Sequence, residues 1–178
     1  MANLAFLYNT NESGFPEDED HLRYGRYCVP IFWLASCEVA HIVIGEDEDG
    51  EEVPYIEVPV VEACQLFESR KELLSQLLPG SEKYYQEWSQ YLESCTDTFL
   101  KIDPTEVITM TDEGADELVN SMEFMSRPDE KTLAGLFSIT CIADVIDRDT
   151  KSLRDLAMID GEETAIAAIN YLIGFSVE

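Results

Sequence analysis

The stretch Cys28-Val29-Pro30-Ile31-Phe32-Trp33-Leu34-Ala35 is the most apolar run of the chain, and the predicted fold is organised around it. Its side chains would be apolar on nearly every side of a helix, which is typical of a helix buried in a core. Pro30 suits the first turn of such a helix, where a backbone N–H has no intrahelical partner. The sequence therefore predicts a buried helix from Ile31 to about Ala40.

A charged hairpin is predicted directly after this helix. The apolar runs Ile42-Val43-Ile44 and Tyr55-Ile56-Glu57-Val58 flank the loop Gly45-Glu46-Asp47-Glu48-Asp49-Gly50-Glu51-Glu52, in which six of eight residues are carboxylates. Such a loop is too polar to be buried, and β-branched runs around a glycine-containing loop are typical of a β-hairpin. We therefore expect strands at His41–Ile44 and Val53–Val60, joined by an exposed acidic tip.

The rest of the chain adds further strands and several helices. A strand is predicted at Leu4–Tyr8, and strand pieces are predicted at Phe99–Ile102 and Val107–Met110, as either one bent strand or a strand followed by a loop. Apolar periodicity predicts helices at Val61–Leu78, from a cap at Ser81 to Cys95, at Glu113–Met125, from Asp129 to about Ile146, at Ser152–Met158 and at Gly161–Ile173. These elements predict an α+β fold, predominantly helical and packed on a small, mainly antiparallel sheet, with residues 1–178 as a single globular domain.

An aromatic stripe runs along one of these helices. Tyr84, Trp88 and Tyr91 recur at helical spacing, with charged residues on the opposite face. Buried aromatic side chains at this spacing usually form part of a core. A stacking platform for a nucleotide is the alternative, and the acidic surroundings disfavour it.

The charge of the chain limits the partners that it could bind. Thirty-seven Asp and Glu residues against 11 Lys and Arg residues give a formal net charge of −26. Such a surface repels nucleic-acid phosphates and anionic membranes and attracts basic proteins. Salt screens these electrostatic forces, with a Debye length of about 8 Å at physiological ionic strength. We expect a basic protein partner, no direct nucleic-acid binding and no membrane insertion.

The cysteines and the amino terminus bear on localisation. The five cysteines are odd in number and widely spread, mostly within apolar runs, which is typical of reduced thiols in a cytosolic protein. The opening residues lack the charged and apolar regions of a signal peptide. We therefore expect a cytoplasmic protein.

Few residues suggest catalysis or metal binding. Cys37 and His41 would share a helical face if the helix reached that far, and such a pair can serve as metal ligands or as a nucleophile with its base. Asp47-x-Asp49-Gly50 resembles part of an EF-hand loop, but the register would place Gly45 at the first ligand position and Ile56 at the position of the bidentate Glu. Catalytic and nucleotide-binding motifs are absent from the sequence. We therefore expect no enzyme activity, no cofactor and no specific metal site.

The amino-terminal part resembles a known group of proteins over roughly the first 35 residues. Met1-Ala2-Asn3-Leu4-Ala5-Phe6-Leu7-Tyr8-Asn9-Thr10-Asn11, followed by Val29-Pro30-Ile31-Phe32, resembles a family of uncharacterised bacterial proteins that begin with a Met-Ala-Asn strand and carry a Pro-led apolar helix. In general character the chain is similar to the small acidic immunity proteins that bacteria produce against secreted toxins. This likeness implies an inhibitory binding role and supplies no catalytic residues.

These observations lead to one functional hypothesis, an antitoxin-like immunity protein that occludes a basic toxin domain in the cytoplasm. Its acidic loops would enter or cover a positively charged cleft and accelerate association. The expected contact residues are the carboxylates of the tip and of the earlier acidic run, namely Glu46, Asp47, Glu48, Asp49, Glu51, Glu52, Glu17, Asp18, Glu19 and Asp20.

Two other binding roles remain open at this stage. A nucleic-acid mimic would present regularly spaced carboxylates to a DNA-binding or defence protein. An adaptor or secretion chaperone would bind an apolar segment of its cargo through an exposed hydrophobic patch, and that binding would survive high salt. The oligomeric state does not follow from the sequence.

Overall fold

A computed structural model describes residues 3–16, 21–47, 49–111, 113–144, 146–147, 152–153 and 169–177. Its strands are β1 (Leu4–Thr10), β2 (Arg23–Arg26), β3 (Ile42–Glu46), β4 (Glu52–Pro59), β5 (Phe99–Asp103), β6 (Ile146–Asp147), β7 (Ser152–Leu153) and β8 (Phe175–Ser176). Its α-helices are α1 (Ile31–Ala35), α2 (Val60–Leu77), α3 (Tyr85–Ser94), α4 (Thr105–Ile108), α5 (Ala115–Ser126) and α6 (Glu130–Thr140). The predicted α+β class is confirmed.

The main sheet has six strands in the order β3-β4-β5-β1-β2-β8, and every neighbouring pair is antiparallel. The strands predicted at Leu4–Tyr8, His41–Ile44, Val53–Val60 and Phe99–Ile102 correspond to β1, β3, β4 and β5, although His41 lies in a 3-10 turn and Val60 begins α2. An ion pair joins β4 to β5, since the buried Lys101 Nζ lies 3.0 Å from Oε2 of the half-buried Glu57. Lys101 also donates to the Gly14 carbonyl oxygen at 2.6 Å, so it fastens the loop after β1 to the sheet.

Helix α1 forms the centre of the core. All five of its side chains are fully buried, which confirms the predicted buried helix. Trp33 donates from Nε1 to the Ile173 carbonyl oxygen at 2.9 Å, so the helix also holds the carboxyl-terminal segment. The helix is shorter than predicted, because it ends at Ala35 rather than near Ala40.

A buried arginine at the end of α1 gives a physical reason for this early stop. Arg70, on α2, donates to the carbonyl oxygens of Ala35 at 3.1 Å and of Cys37. These carbonyl oxygens accept no hydrogen bond from a helical N–H group. The guanidinium group of Arg70 supplies the missing donors. Its other nitrogen contacts Glu38 and Ser126, so one side chain joins α2, the end of α1 and α5.

The helices α2 and α3 pack an aromatic cluster against α1. Phe32, Phe67 and Tyr85 lie 5.2–5.7 Å apart between ring centroids, and Trp88 is 1% exposed. Tyr91 stacks on Trp88 at 5.1 Å. The core interpretation of the aromatic stripe is therefore confirmed for Trp88, whose face is not open to a nucleotide.

The second helical pair is α5 with α6, which begins at a capping box. Asp129 Oδ1 accepts a hydrogen bond from the Thr132 N–H at 2.9 Å, and these hydrogen bonds hold the pKa of Asp129 below its ordinary value. Gly135 allows close packing, since a Cβ there would lie 2.7 Å from Cβ of Asn120. The helices predicted at Val61–Leu78 and Glu113–Met125 are confirmed within two residues.

Two predictions of element type were wrong. Val107–Met110 is not a strand, because helix α4 begins after Pro104 and Asp103 Oδ1 accepts from the Thr105 N–H at 2.9 Å. Ser152–Leu153 is a short strand paired with β6 instead of the start of a helix. Residues 154–158 lie outside the described residues.

Two helix boundaries also differ from prediction. Helix α6 ends at Thr140 and does not reach Ile146, because Cys141 adopts a left-handed conformation with φ 52°. Ser81 does not cap α3, since it begins a 3-10 turn and its hydroxyl lies 3.1 Å from Tyr85 Oη. Of the helix predicted at Gly161–Ile173, residues 169–172 are helical, and 161–168 fall outside the described ranges.

Candidate acidic binding surface

The predicted acidic tip is the turn between β3 and β4. The side chains of Glu46, Asp49, Glu51 and Glu52 are exposed there, while Asp47 is half-buried. Glu46 and Glu52 face each other across the last pair of the hairpin. Glu48 lies outside the described residues. The hairpin therefore presents at least four carboxylates to solvent.

Asp47 has a structural role within the tip. Its Oδ1 accepts hydrogen bonds from the N–H groups of Asp49 at 3.0 Å and of Glu51 at 2.8 Å. The backbone closes the same turn, since the Gly50 N–H donates to the Asp47 carbonyl oxygen at 3.0 Å and Gly50 has a φ of 78°. The turn is thus internally braced, and the neighbouring acids are held on an ordered loop.

The second predicted acidic cluster, Glu17 to Asp20, lies outside the described residues. The residues that precede it, Phe15 and Pro16, are placed beside the hairpin. The ring of Phe15 packs edge-on against that of Tyr55, with 5.7 Å between their centroids. Phe15 and Pro16 therefore form part of the surface beside the hairpin.

A cavity of about 380 Å³ opens beside the tip. Its walls carry carboxylates from two parts of the fold, Asp47 and Asp49 of the hairpin and Asp103 and Glu106 at the end of β5 and in α4. Apolar side chains complete the lining, namely Phe6, Phe15 and Pro16. A cavity with an apolar lining and acidic walls suits a long cationic side chain such as Lys or Arg.

Asp103 and Glu106 were not predicted as site residues. Asp103 is 6% exposed and lies opposite Phe6 in the β1–β5 register, while Glu106 Oε2 accepts from the Leu4 N–H at 2.8 Å. Asp103 before Pro104 and Thr105 is a local helix-start signal. Nothing in the sequence indicates that these two acids approach a hairpin formed some fifty residues earlier.

A second cavity, of about 410 Å³, lies between the 3-10 turn Val39–His41 and the junction of α5 with α6. It contains Glu38, Glu123, Asp129 and one basic residue, Arg127. It mixes opposite charges and lies apart from the hairpin tip in the sequence, so it adds no second uniformly acidic site.

Cys37 and His41 do not form the predicted pair on one helical face, because α1 has ended before either residue. His41 Nδ1 accepts from the Glu38 N–H at 2.9 Å, and its Nε2 lies 3.2 Å from Glu62 Oε1. Cys37 is buried, and this burial raises the pKa of its thiol to about 12. A thiol held neutral in this way is not a nucleophile near neutral pH.

The described residues show neither a metal cluster nor a membrane span. In these ranges, no three side chains of His, Cys, Asp or Glu come together as a site for a metal ion. The same residues contain no helix with the length and apolar character needed to cross a bilayer.

Comparisons with known proteins add no relative: no family model, no curated protein and no solved structure matches the chain.

Proposed function

We propose that the chain is a non-enzymatic binding protein that covers a basic surface of another protein. The most specific form of the proposal is a cytoplasmic immunity protein that occludes a basic toxin domain. The braced hairpin carries the argument, since it projects exposed carboxylates beside an acidic cavity on a chain of net charge −26. Charge of this kind steers a basic partner and selects against other surfaces.

Each part of the surface has a distinct task in this mechanism. The exposed acids of the tip would accelerate encounter and contact the basic rim of the partner's cleft. A Lys or Arg side chain of the partner would enter the cavity, where its aliphatic part meets Phe6 and Phe15 and its charge meets Asp49 and Asp103. Occlusion of the cleft, rather than chemistry on a substrate, would then cause inhibition.

The first experiment is affinity capture from the native cytoplasm at low and high salt, with identification by mass spectrometry. One basic protein that is retained at low salt and released at high salt is expected. A captured protein for which this chain competes with DNA would instead favour a nucleic-acid mimic. A cargo that stays bound in high salt would favour a chaperone.

Neutralising the tip tests the surface itself. The variant replaces Glu46, Glu51 and Glu52 with Gln and Asp49 with Asn, and leaves Asp47 because it braces the turn. We expect the association rate with the captured partner at low salt to fall about tenfold to hundredfold, with a shallower dependence on salt, as measured by stopped-flow fluorescence.

A matched control keeps the same change in net charge. It neutralises four exposed acids that lie on or beside helices α2, α3 and α5, namely Glu72, Glu93, Glu113 and Asp116. If both variants lose association rate equally, the tip has no special role and the effect is one of net charge alone. If neither loses rate, the proposed surface is wrong.

A further inference from the structure

Strand β3 lies at one end of the six-stranded sheet. In the part of the chain that the structure describes, it pairs with β4 and with no other strand. The far side of an edge strand presents unpaired N–H and C=O groups, to which an extended peptide can add as another strand. This edge leads directly into the acidic tip.

The register shows which groups of β3 face outward. Ile44 lies opposite Pro54, which has no N–H to donate. In an antiparallel ladder, residues alternate between pairs that exchange hydrogen bonds and pairs that do not. Ile44 therefore belongs to a pair without hydrogen bonds, and both its N–H and its C=O point away from β4. Ile42, two residues earlier, agrees with this alternation, since its N–H donates to the Val39 carbonyl oxygen.

The side chains at this edge favour contact with a partner. Ile44 is 61% exposed and Val39, just before the strand, is 37% exposed. Glu46 and Glu52 are exposed where β3 and β4 meet the tip. The edge thus combines free backbone groups, an apolar side chain and negative charge at one end.

We propose that the β3 edge binds an extended, basic segment of the partner as an added strand. This inference rests on the proposed function and names the form that the partner takes. A second copy of the chain could pair with the same edge, but two copies would each bring a net charge of −26 and two acidic tips to the contact. Charge complementarity therefore favours a basic partner strand over self-association.

The test selects binders with the full-length chain from a phage library of random peptides about ten residues long, the length of a strand. Three forms are then compared by fluorescence anisotropy: the wild type, Ile44→Pro and Ile44→Thr. Ile44→Pro removes an outward N–H without removing a hydrogen bond to β4, and Ile44→Thr keeps that N–H. Thermal unfolding of both variants is measured beside the wild type.

We expect the selected peptides to be enriched in Lys and Arg and to bind Ile44→Pro at least about tenfold less tightly, while Ile44→Thr stays within about threefold. Should Ile44→Pro unfold, the same question is answered from the peptide side. The peptide is then methylated at every second backbone nitrogen. Methylation of one alternate set of nitrogens should abolish binding, and methylation of the other set should leave it intact.

Several results would overturn the inference. These are equal binding to the wild type and Ile44→Pro, selected peptides without excess basic residues, or no enrichment at all. A wild-type dimer that Ile44→Pro converts to monomer would show that a second copy occupies the edge. The two proposals can also be separated. If the neutralised tip variant associates slowly but Ile44→Pro binds the partner fully, the proposed function is retained and the added strand is rejected.

Discussion

Replacing Arg70 with Met should destabilise the protein by about 3–5 kcal/mol, because it removes the donor from several buried carbonyl groups at once. Arg70 is 5% exposed, and its guanidinium group donates to Ala35 and Cys37 at the end of α1 and to Ser126 at the end of α5. Burial lowers the pKa of Arg70 from its ordinary value, and the Glu38 carboxylate opposes that shift. The free energy of unfolding in urea, compared between wild type and variant, measures the effect.

The control for this variant is Arg127→Met, which removes an exposed arginine near the same junction of helices. We expect its free energy of unfolding to remain within about 0.5 kcal/mol of the wild type. A decrease in the free energy of unfolding of less than about 1 kcal/mol for Arg70→Met would contradict the assigned role. Removal of a buried donor that terminates a helix should cost more than this.

Replacing Trp88 with Ala should cost about 3–5 kcal/mol, a large share of the 5–15 kcal/mol that stabilises a typical domain. The indole stacks on Tyr91, packs against Phe67 with 6.4 Å between centroids, and donates from Nε1 to Ser36 Oγ at 3.0 Å. Trp33, which is fully buried, remains as the fluorophore that reports unfolding.

Two further variants separate packing from hydrogen bonding at this position. Trp88→Phe keeps an aromatic ring but loses the bond to Ser36, and should cost about 1–3 kcal/mol. Gln86→Ala, on the exposed face of α3, should leave stability within about 0.5 kcal/mol. Equal losses for Trp88→Ala and Trp88→Phe would mean that the ring itself contributes little.

Local patterns account for much of what the sequence predicted correctly. The hairpin follows from two β-branched runs around a polar loop, and α2 follows from its apolar periodicity. The early end of α1 could not be predicted, because its carbonyls are satisfied by Arg70, more than thirty residues later. The apolar run at 107–110 was wrongly assigned because Val107 and Ile108 are buried in a helix as readily as in a strand.

The candidate surface likewise combines features that local sequence predicts with features that depend on distant residues. The exposed acids of the tip could be found from composition, but the bracing role of Asp47 depends on the turn geometry. Asp103 and Glu106 reach the tip because β5 pairs with both β1 and β4. Which distant strands pair depends on packing across the whole core, and one sequence does not contain that information in local form.

The pairing of β2 with β8 also constrains the order in which the protein can be assembled during synthesis. Arg23 donates from Nη1 to the Gly174 carbonyl oxygen, 151 positions away, and Tyr24 pairs with Phe175. Until the ribosome releases residues 169–177, β2 lacks this neighbour and Trp33 lacks its acceptor at Ile173. Contacts between residues so far apart in sequence slow folding. The sheet should therefore be completed only after residues 169–177 have been translated.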